Sequence, residues 1–212
     1  MIITRQKDLP EILALIGSGP VFLIGCSECA TQCSTGGKEQ VDELASILAS
    51  RKIPVTGSVI LEPACHLQNA KRLLKPHDAA VQKAQTLVIL ACGNGVQTVQ
   101  ELYPTKDVVA GTNPLFIGEV LHAGEFEKRC TLCGDCHLEN FGGLCPIARC
   151  PKSKLNGPCG GMVNGHCEIN QDVLCVWDQI YQNLKKRNQL HLLRTMQPPK
   201  DWSKSREVKL SK

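Results

Sequence analysis

Aromatic residues make up only 4% of this chain, and no apolar run approaches the roughly 20 residues that a membrane-spanning helix requires. With so few rings there is little to stack bases on, which argues against nucleic acid as a partner. The net charge is a mild +4 and is spread along the chain. Only residues 198–209 are visibly basic. No charged-then-apolar leader opens the sequence, and the expected setting is a reducing cytoplasm with no membrane insertion. Cysteine, by contrast, is plentiful, with thirteen in 212 residues. Disulfides fit poorly: the count is odd, and the cysteine-poorer half reads as a regular domain that needs no covalent staples.

That half, residues 1–124, alternates short apolar runs with amphipathic segments. Asp8-Leu9-Pro10-Glu11 reads as a helix start, with Asp as a cap and Pro suited to the first turn. Ile12, Leu15 and Ile16 then predict one apolar face. Residues 20–25, 55–61, 86–91 and 108–110 read as strands, the first and third as continuous apolar runs suited to burial on both faces. Val41, Leu44, Ala45 and Leu48 recur with helical spacing. Residues 67–74 and 95–102 complete the helices. This rhythm predicts parallel pairing, so the expected fold class is α/β, a small doubly wound sheet.

Beyond residue 124 the periodicity stops. Residues 125–170 are rich in Gly, Pro, Asn and Cys and hold too little apolar material to fold alone, so metal is expected to organise them. A helix is expected from Gln171, with Val173, Trp177, Ile180 and Leu184 on one face. The expected organisation is an α/β domain over 1–124 with one metal cluster, a cysteine-rich module with its helix over 125–196, and a partner-binding tail over 197–212. The tail is expected to order only against its partner.

The cysteines group by spacing. Cys26-x2-Cys29-x3-Cys33 follows the first buried strand, Cys65 the second and Cys92 the third, and ligands gather at strand ends of parallel sheets. The loop supplies three thiolates, and either Cys92 or Cys65 is available as the fourth. Cys92 is favoured because Gly93 and Gly95 admit close approach and the next helix points N–H groups at the sulfurs. Cys130-x2-Cys133-x2-Cys136 has the compact spacing of ferredoxin cluster ligands, and Pro follows both Cys145 and Cys150. With Cys159, Cys167 and Cys175 the module holds eight thiols, enough for two sites. The expected partition is Cys130, Cys133, Cys136 and Cys175 against Cys145, Cys150, Cys159 and Cys167, with exchange of fourth ligands left open.

Three alternatives accompany this reading. Structural zinc is compatible with paired cysteines, and His122, His137 and His166 lie nearby. The G-x-G at Gly93–Gly95 resembles a dinucleotide loop, but Thr98 stands where the third Gly belongs. Gly36-Gly37-Lys38 matches a phosphate loop too incompletely to carry weight.

Longer motifs point to a family. Gly25-Cys26-x2-Cys29-Ala30-Thr31-x-Cys33-x-Thr35-Gly36-Gly37, Ala91-Cys92-Gly93-x-Gly95-Val96-Gln97 and Cys145-Pro146-x-Ala148-Arg149-Cys150-Pro151-Lys152 are joined by Leu155-Asn156-Gly157-Pro158-Cys159-Gly160-Gly161-x5-Cys167-Glu168. Across residues 25–168 the chain resembles the small, V-type subunit of the acetogen-type methylenetetrahydrofolate reductase, whose C-terminal module is also described as zinc-containing. The resemblance implies a complex that reduces 5,10-methylenetetrahydrofolate to 5-methyltetrahydrofolate. A large subunit would carry the flavin and the folate. This chain would relay electrons to it from a ferredoxin-like or pyridine-nucleotide-linked donor. Expected cofactors are 4Fe-4S clusters, one in the α/β domain and one or two in the module, with zinc possible in place of one. No catalytic residue is expected here, since nothing resembles a general acid, a nucleophile or a folate pocket.

Overall fold

The computed structural model describes residues 1–206. The chain divides into two compact units, residues 1–116 with 120–126, and residues 117–119 with the chain from 127 onward. In the first, β2 (Val21–Cys26), β3 (Val55–Leu61), β4 (Thr86–Leu90) and β5 (Asp107–Ala110) form a parallel sheet of order β3-β2-β4-β5. Every residue of β2 and β4 is buried, as their unbroken apolar runs require.

Alternation along these strands feeds two apolar layers. Phe22, Ile24 and Cys26 join Leu87 and Ile89 on one face, packed with Ala70 and Leu74 of α4 (Leu67–Leu74), Val81 of α5 (Asp78–Lys83) and Val99 of α6 (Gly93–Leu102). Val21, Leu23, Val88 and Leu90 face the other way, toward Ile12 and Ile16 of α1 (Leu9–Ile16) and Val41, Leu44 and Leu48 of α3 (Lys38–Ser50). Helices therefore cover both faces, the doubly wound arrangement. Leu15, expected on the apolar face of α1, is 53% exposed, because helical rotation carries it away from Ile12 and Ile16. Asp8 occupies the N-cap of α1, but its side chain makes no capping bond.

A second sheet, of order β1-β6-β7, was not anticipated from sequence. It comprises β1 (Ile2–Gln6) and the long hairpin of β6 (Thr112–His122) and β7 (Glu125–Cys130), turned at Ala123 and Gly124. Its strands carry mixed polar and apolar residues on largely exposed surfaces, so no buried run marked them.

In the second unit, α7 (Pro146–Arg149) and α8 (Val176–Lys186) are joined mostly by turns. α8 starts at Val176 rather than near Gln171. Cys175 takes its N-cap, and Val173 lies before the helix, 39% exposed. Phe141, Val176, Trp177, Ile180 and Leu184 make a small core, with the Phe141 and Trp177 rings edge to face at 5.8 Å. No helix among the described residues is long and apolar enough to cross a membrane.

Candidate metal centres

The order β3-β2-β4 places a topological switch point between β2 and β4, where α/β sheets open a crevice beyond their strand ends. Cys26 is the last residue of β2, and Cys92 is the N-cap of α6 just beyond β4. The loop between β2 and α3 is pinned to the sheet edge. Cys26 N donates to Gly36 O at 2.9 Å, and Thr31 Oγ1 donates to Cys26 O at 2.7 Å. A Cβ on Gly36 would stand 1.9 Å from Leu90 O, so only glycine lets the loop lie this close. Cys29 opens the short helix α2 (Cys29–Gln32) on this loop.

Cys65 follows the tight turn that leaves β3 and is exposed. Partial desolvation lifts its thiol above the ordinary value, and the neighbouring thiols of Cys92, Cys26 and Cys29 push in the same direction. Cys33 is turned elsewhere. It is buried, and its Sγ lies 3.9 Å from the carbonyl of Ile2 in β1. Beside it, Thr4 and Thr35 share a buried hydroxyl hydrogen bond of 2.6 Å. The G-x-G of α6 serves packing: a Cβ on Gly95 would meet Ala64 Cβ at 2.8 Å and Ala91 Cβ at 3.0 Å.

The second unit divides its eight thiols between two cavities. One, of about 320 Å³, is lined by Cys130, Cys133, Cys136 and Cys145, with Arg129, Thr131 and His137. The other, of about 20 Å³, is lined by Cys150, Cys159, Cys167 and Cys175, with Arg149 and Lys152. Cys145 thus lines the first cavity and Cys175 the second, and Cys175 also borders a third cavity of about 370 Å³ beside Trp177 and Tyr181. The reason lies in α7 and α8. Cys145 caps α7 on the side of the Cys130–Cys136 loop. Cys175 is held by its N–H to Gly165 O at 2.8 Å, beside the bridge that joins Val163 to His166.

Backbone amides already reach sulfur in the larger cavity. Leu132 N donates to Cys130 Sγ at 3.3 Å, and Ala148 N donates to Cys145 Sγ at 3.4 Å. Such bonds favour the thiolate that a soft metal needs. In the smaller cavity Lys152 pairs with Glu168, which raises the lysine ammonium above its ordinary value. Cys159 and Cys167 add to that rise.

All thirteen cysteines are free of disulfides. Among the described residues no three His, Cys, Asp or Glu side chains are drawn together as a preformed metal site. Fit to a metal–thiolate centre rests on the donor set and on orphaned polar atoms. The buried side-chain polar atoms without a partner, among the described residues, are Arg129 Nε, Thr131 Oγ1, Arg149 Nε and Arg149 Nη1. Arg129 and Thr131 line the larger cavity and Arg149 the smaller. Buried donors left unmatched are costly, about 1–3 kcal/mol each, and four thiolates around a metal would present the negative sulfurs that answer them. Arg129 and Arg149 also pair with Glu127 through Nη2, so the donor chemistry of the four thiols in each cavity is what suits a thiolate-bound metal.

Two of the three histidines near these cysteines have other partners. His137 Nε2 lies 3.2 Å from Asp135, and His166 Nδ1 lies 3.0 Å from Asn164 O. His122 is exposed on β6. Residues 197–206 of the segment expected to bind a partner make contacts within the second unit. Pro198, Pro199 and Lys200 line the larger cavity, Lys200 donates to Asp135 O, and Lys204 pairs with the Asp135 carboxylate at 3.0 Å. Residues 207–212 of that segment lie outside the described residues.

No curated protein and no solved structure matches the chain. Residues 109–203, which include all eight cysteines of the two cavities, match the family model described as methylene-tetrahydrofolate reductase C terminal. The part of the chain that carries both four-thiol cavities is thus similar to the C-terminal region of that reductase.

Proposed function

We propose that this chain is the iron–sulfur electron-transfer subunit of a methylenetetrahydrofolate reductase complex. In this reading it relays electrons to the flavin of a large subunit, which reduces 5,10-methylenetetrahydrofolate to 5-methyltetrahydrofolate. Its electrons come from a ferredoxin-like or pyridine-nucleotide-linked donor module. The observation that carries this is the pair of four-thiol cavities, each bordered by an arginine with unpartnered buried nitrogens, within the stretch similar to the reductase.

Cys130, Cys133, Cys136 and Cys145 would hold one 4Fe-4S cluster, and the thiols at the sheet mouth another. Bound clusters supply reversible one-electron transfer at potentials set by their surroundings. The protein's own part is to hold thiolates, neutralise charge with Arg129, donate amides from Leu132 and Ala148, and exclude water. Pro198 and Pro199 contribute to that exclusion by lining the larger cavity. No group in either unit is assigned to folate chemistry.

The four thiols of the smaller cavity support a second reading for that site. Structural zinc also takes four thiolates, so it would suit Cys150, Cys159, Cys167 and Cys175, with Lys152 and Glu168 beside them. If every site held zinc, the chain would be an adaptor docking the flavoprotein to its donor.

The deciding experiment is metal and sulfide analysis of anaerobically purified chain, with EPR after dithionite reduction. The electron-transfer reading expects iron and sulfide in multiples of about four per chain and a signal that the flavoprotein reoxidises. A colourless, zinc-replete protein without a redox-active centre would overturn it in favour of the adaptor.

A further inference from the structure

The structure assigns Cys65, and not Cys33, to the metal-binding set at the mouth of the parallel sheet, with Cys26, Cys29 and Cys92. This rests on the reading that the chain holds iron–sulfur clusters and decides which side chains carry the one in the first unit.

The register of the sheet supplies the first argument. Cys26 pairs with Leu61 and Gly25 with Leu90, so β2, β3 and β4 end at one level. Ser27 N donates to Leu61 O at 3.0 Å, which ties the start of the cysteine loop to the exit of β3. The turn beyond β3 then brings Ala64 back onto α6. Because Gly95 has no side chain, Ala64 and Ala91 both reach it, and each immediately precedes a cysteine. Cys26, Ala30, Ala64 and Ala91 belong to one buried cluster on one face of the sheet. Cys65 and Cys92 are therefore delivered to the same place by adjacent residues with the same contact.

Cys33 is delivered elsewhere. It ends α2, where its N–H bonds Cys29 O at 3.0 Å, and its thiol meets the Ile2 carbonyl of β1. Ser34 follows with φ of 52°, and Thr35 bonds Thr4. The residues on either side of Cys33 thus fasten the loop to β1 and place its sulfur among those fastenings. Cys65, by contrast, is exposed where a cluster would cover it. With Cys65 in the set, twelve cysteines make three groups of four and Cys33 is the odd one.

The test uses full-length chain purified anaerobically, comparing wild type with Cys29→Ala, Cys65→Ala and Cys33→Ser. Serine at 33 is close to cysteine in size but removes the thiolate. Cys29→Ala and Cys65→Ala should each lose about four irons per chain and the same EPR component. Cys33→Ser should keep the wild-type iron content and spectrum. Iron lost from Cys33→Ser, or kept by Cys65→Ala, overturns the assignment.

Alkylation of the wild-type holoprotein gives a second readout that needs no variant to fold. Cys65 should resist iodoacetamide until iron is chelated and then react. Modification of Cys65 with iron still bound also overturns the assignment. An iron-free wild type would instead defeat the electron-transfer reading itself, whereas iron that Cys29→Ala leaves untouched would defeat only the sheet-mouth set.

Discussion

Between Val21 and Cys26, and again between Thr86 and Leu90, the first unit buries every residue, and helices cover the sheet on both sides. The second unit gathers Phe141, Val176, Trp177, Ile180 and Leu184 into one small cluster. It leaves Leu132, Ile169 and Leu174 more than half exposed. The two regions also use cysteine differently. At the sheet mouth the thiols decorate a scaffold that stands without them. In the second unit they line cavities inside the fold, beside arginine atoms that no protein group answers. A hydrophobic core can position a site, but where the core is small the site must help to make the fold.

The sharpest way to break this comparison follows from the metal centres proposed above. Anaerobic treatment with a strong chelator is expected to unfold the second unit and leave the parallel sheet intact. Hydrogen exchange reads the difference: amides from Cys175 to Leu184 should lose protection while those of β2 and β4 keep theirs. Equal loss in both units would mean that the first depends on metal as well.

A core truncation sharpens the same contrast. Ile180→Ala should destabilise the second unit by about 3 kcal/mol, a large share of what a small core provides. Both tryptophans, Trp177 and Trp202, lie in that unit, so the fluorescence-detected urea midpoint reports it alone. Leu23→Ala should cost a similar amount in the first unit and leave that midpoint unmoved. A shift from Leu23→Ala would show that the units unfold together.

Smaller effects test how the cysteine loop is fastened. Thr4→Val removes the 2.6 Å hydroxyl bond to Thr35, which retains its 3.2 Å bond to Ala30 O, so about 1 kcal/mol is expected from the first unit. Circular dichroism during denaturation would measure it, with iron content unchanged. Lys38→Ala breaks an exposed ion pair with Asp42 one helical turn away, worth roughly 0.3 kcal/mol. A larger loss from Lys38→Ala than from Thr4→Val would reverse the ranking of buried over exposed polar contacts.

The parallel sheet was legible because burial on both faces forces long apolar runs, and residues 20–25 and 86–91 carry them. β1 and the hairpin of β6 and β7 were not, because β1 is short and half polar, and β6 and β7 expose much of their surface and mix polar with apolar residues. The start of α8 was misplaced for a related reason: Val173 fits the helical spacing, yet it belongs to the turns around Cys167 and Cys175. A cap at Cys175 has no sequence signature as strong as an Asp or Ser.

By itself the sequence determined that thiols cluster at strand ends and in a segment poor in apolar residues. Spacing along the chain is enough for that, since local periodicity and cysteine counts are one-dimensional properties. Only the tertiary structure decided which thiols share a cavity. Cys145 joins Cys130, Cys133 and Cys136, while Cys175 joins Cys150, Cys159 and Cys167. Cys33 turns toward β1, while Ala64 and Ala91, each just before a cysteine, both pack against Gly95. The physical reason is that a side chain's direction follows from the turn or helix cap that carries it, and those are set by contacts with residues far away in sequence.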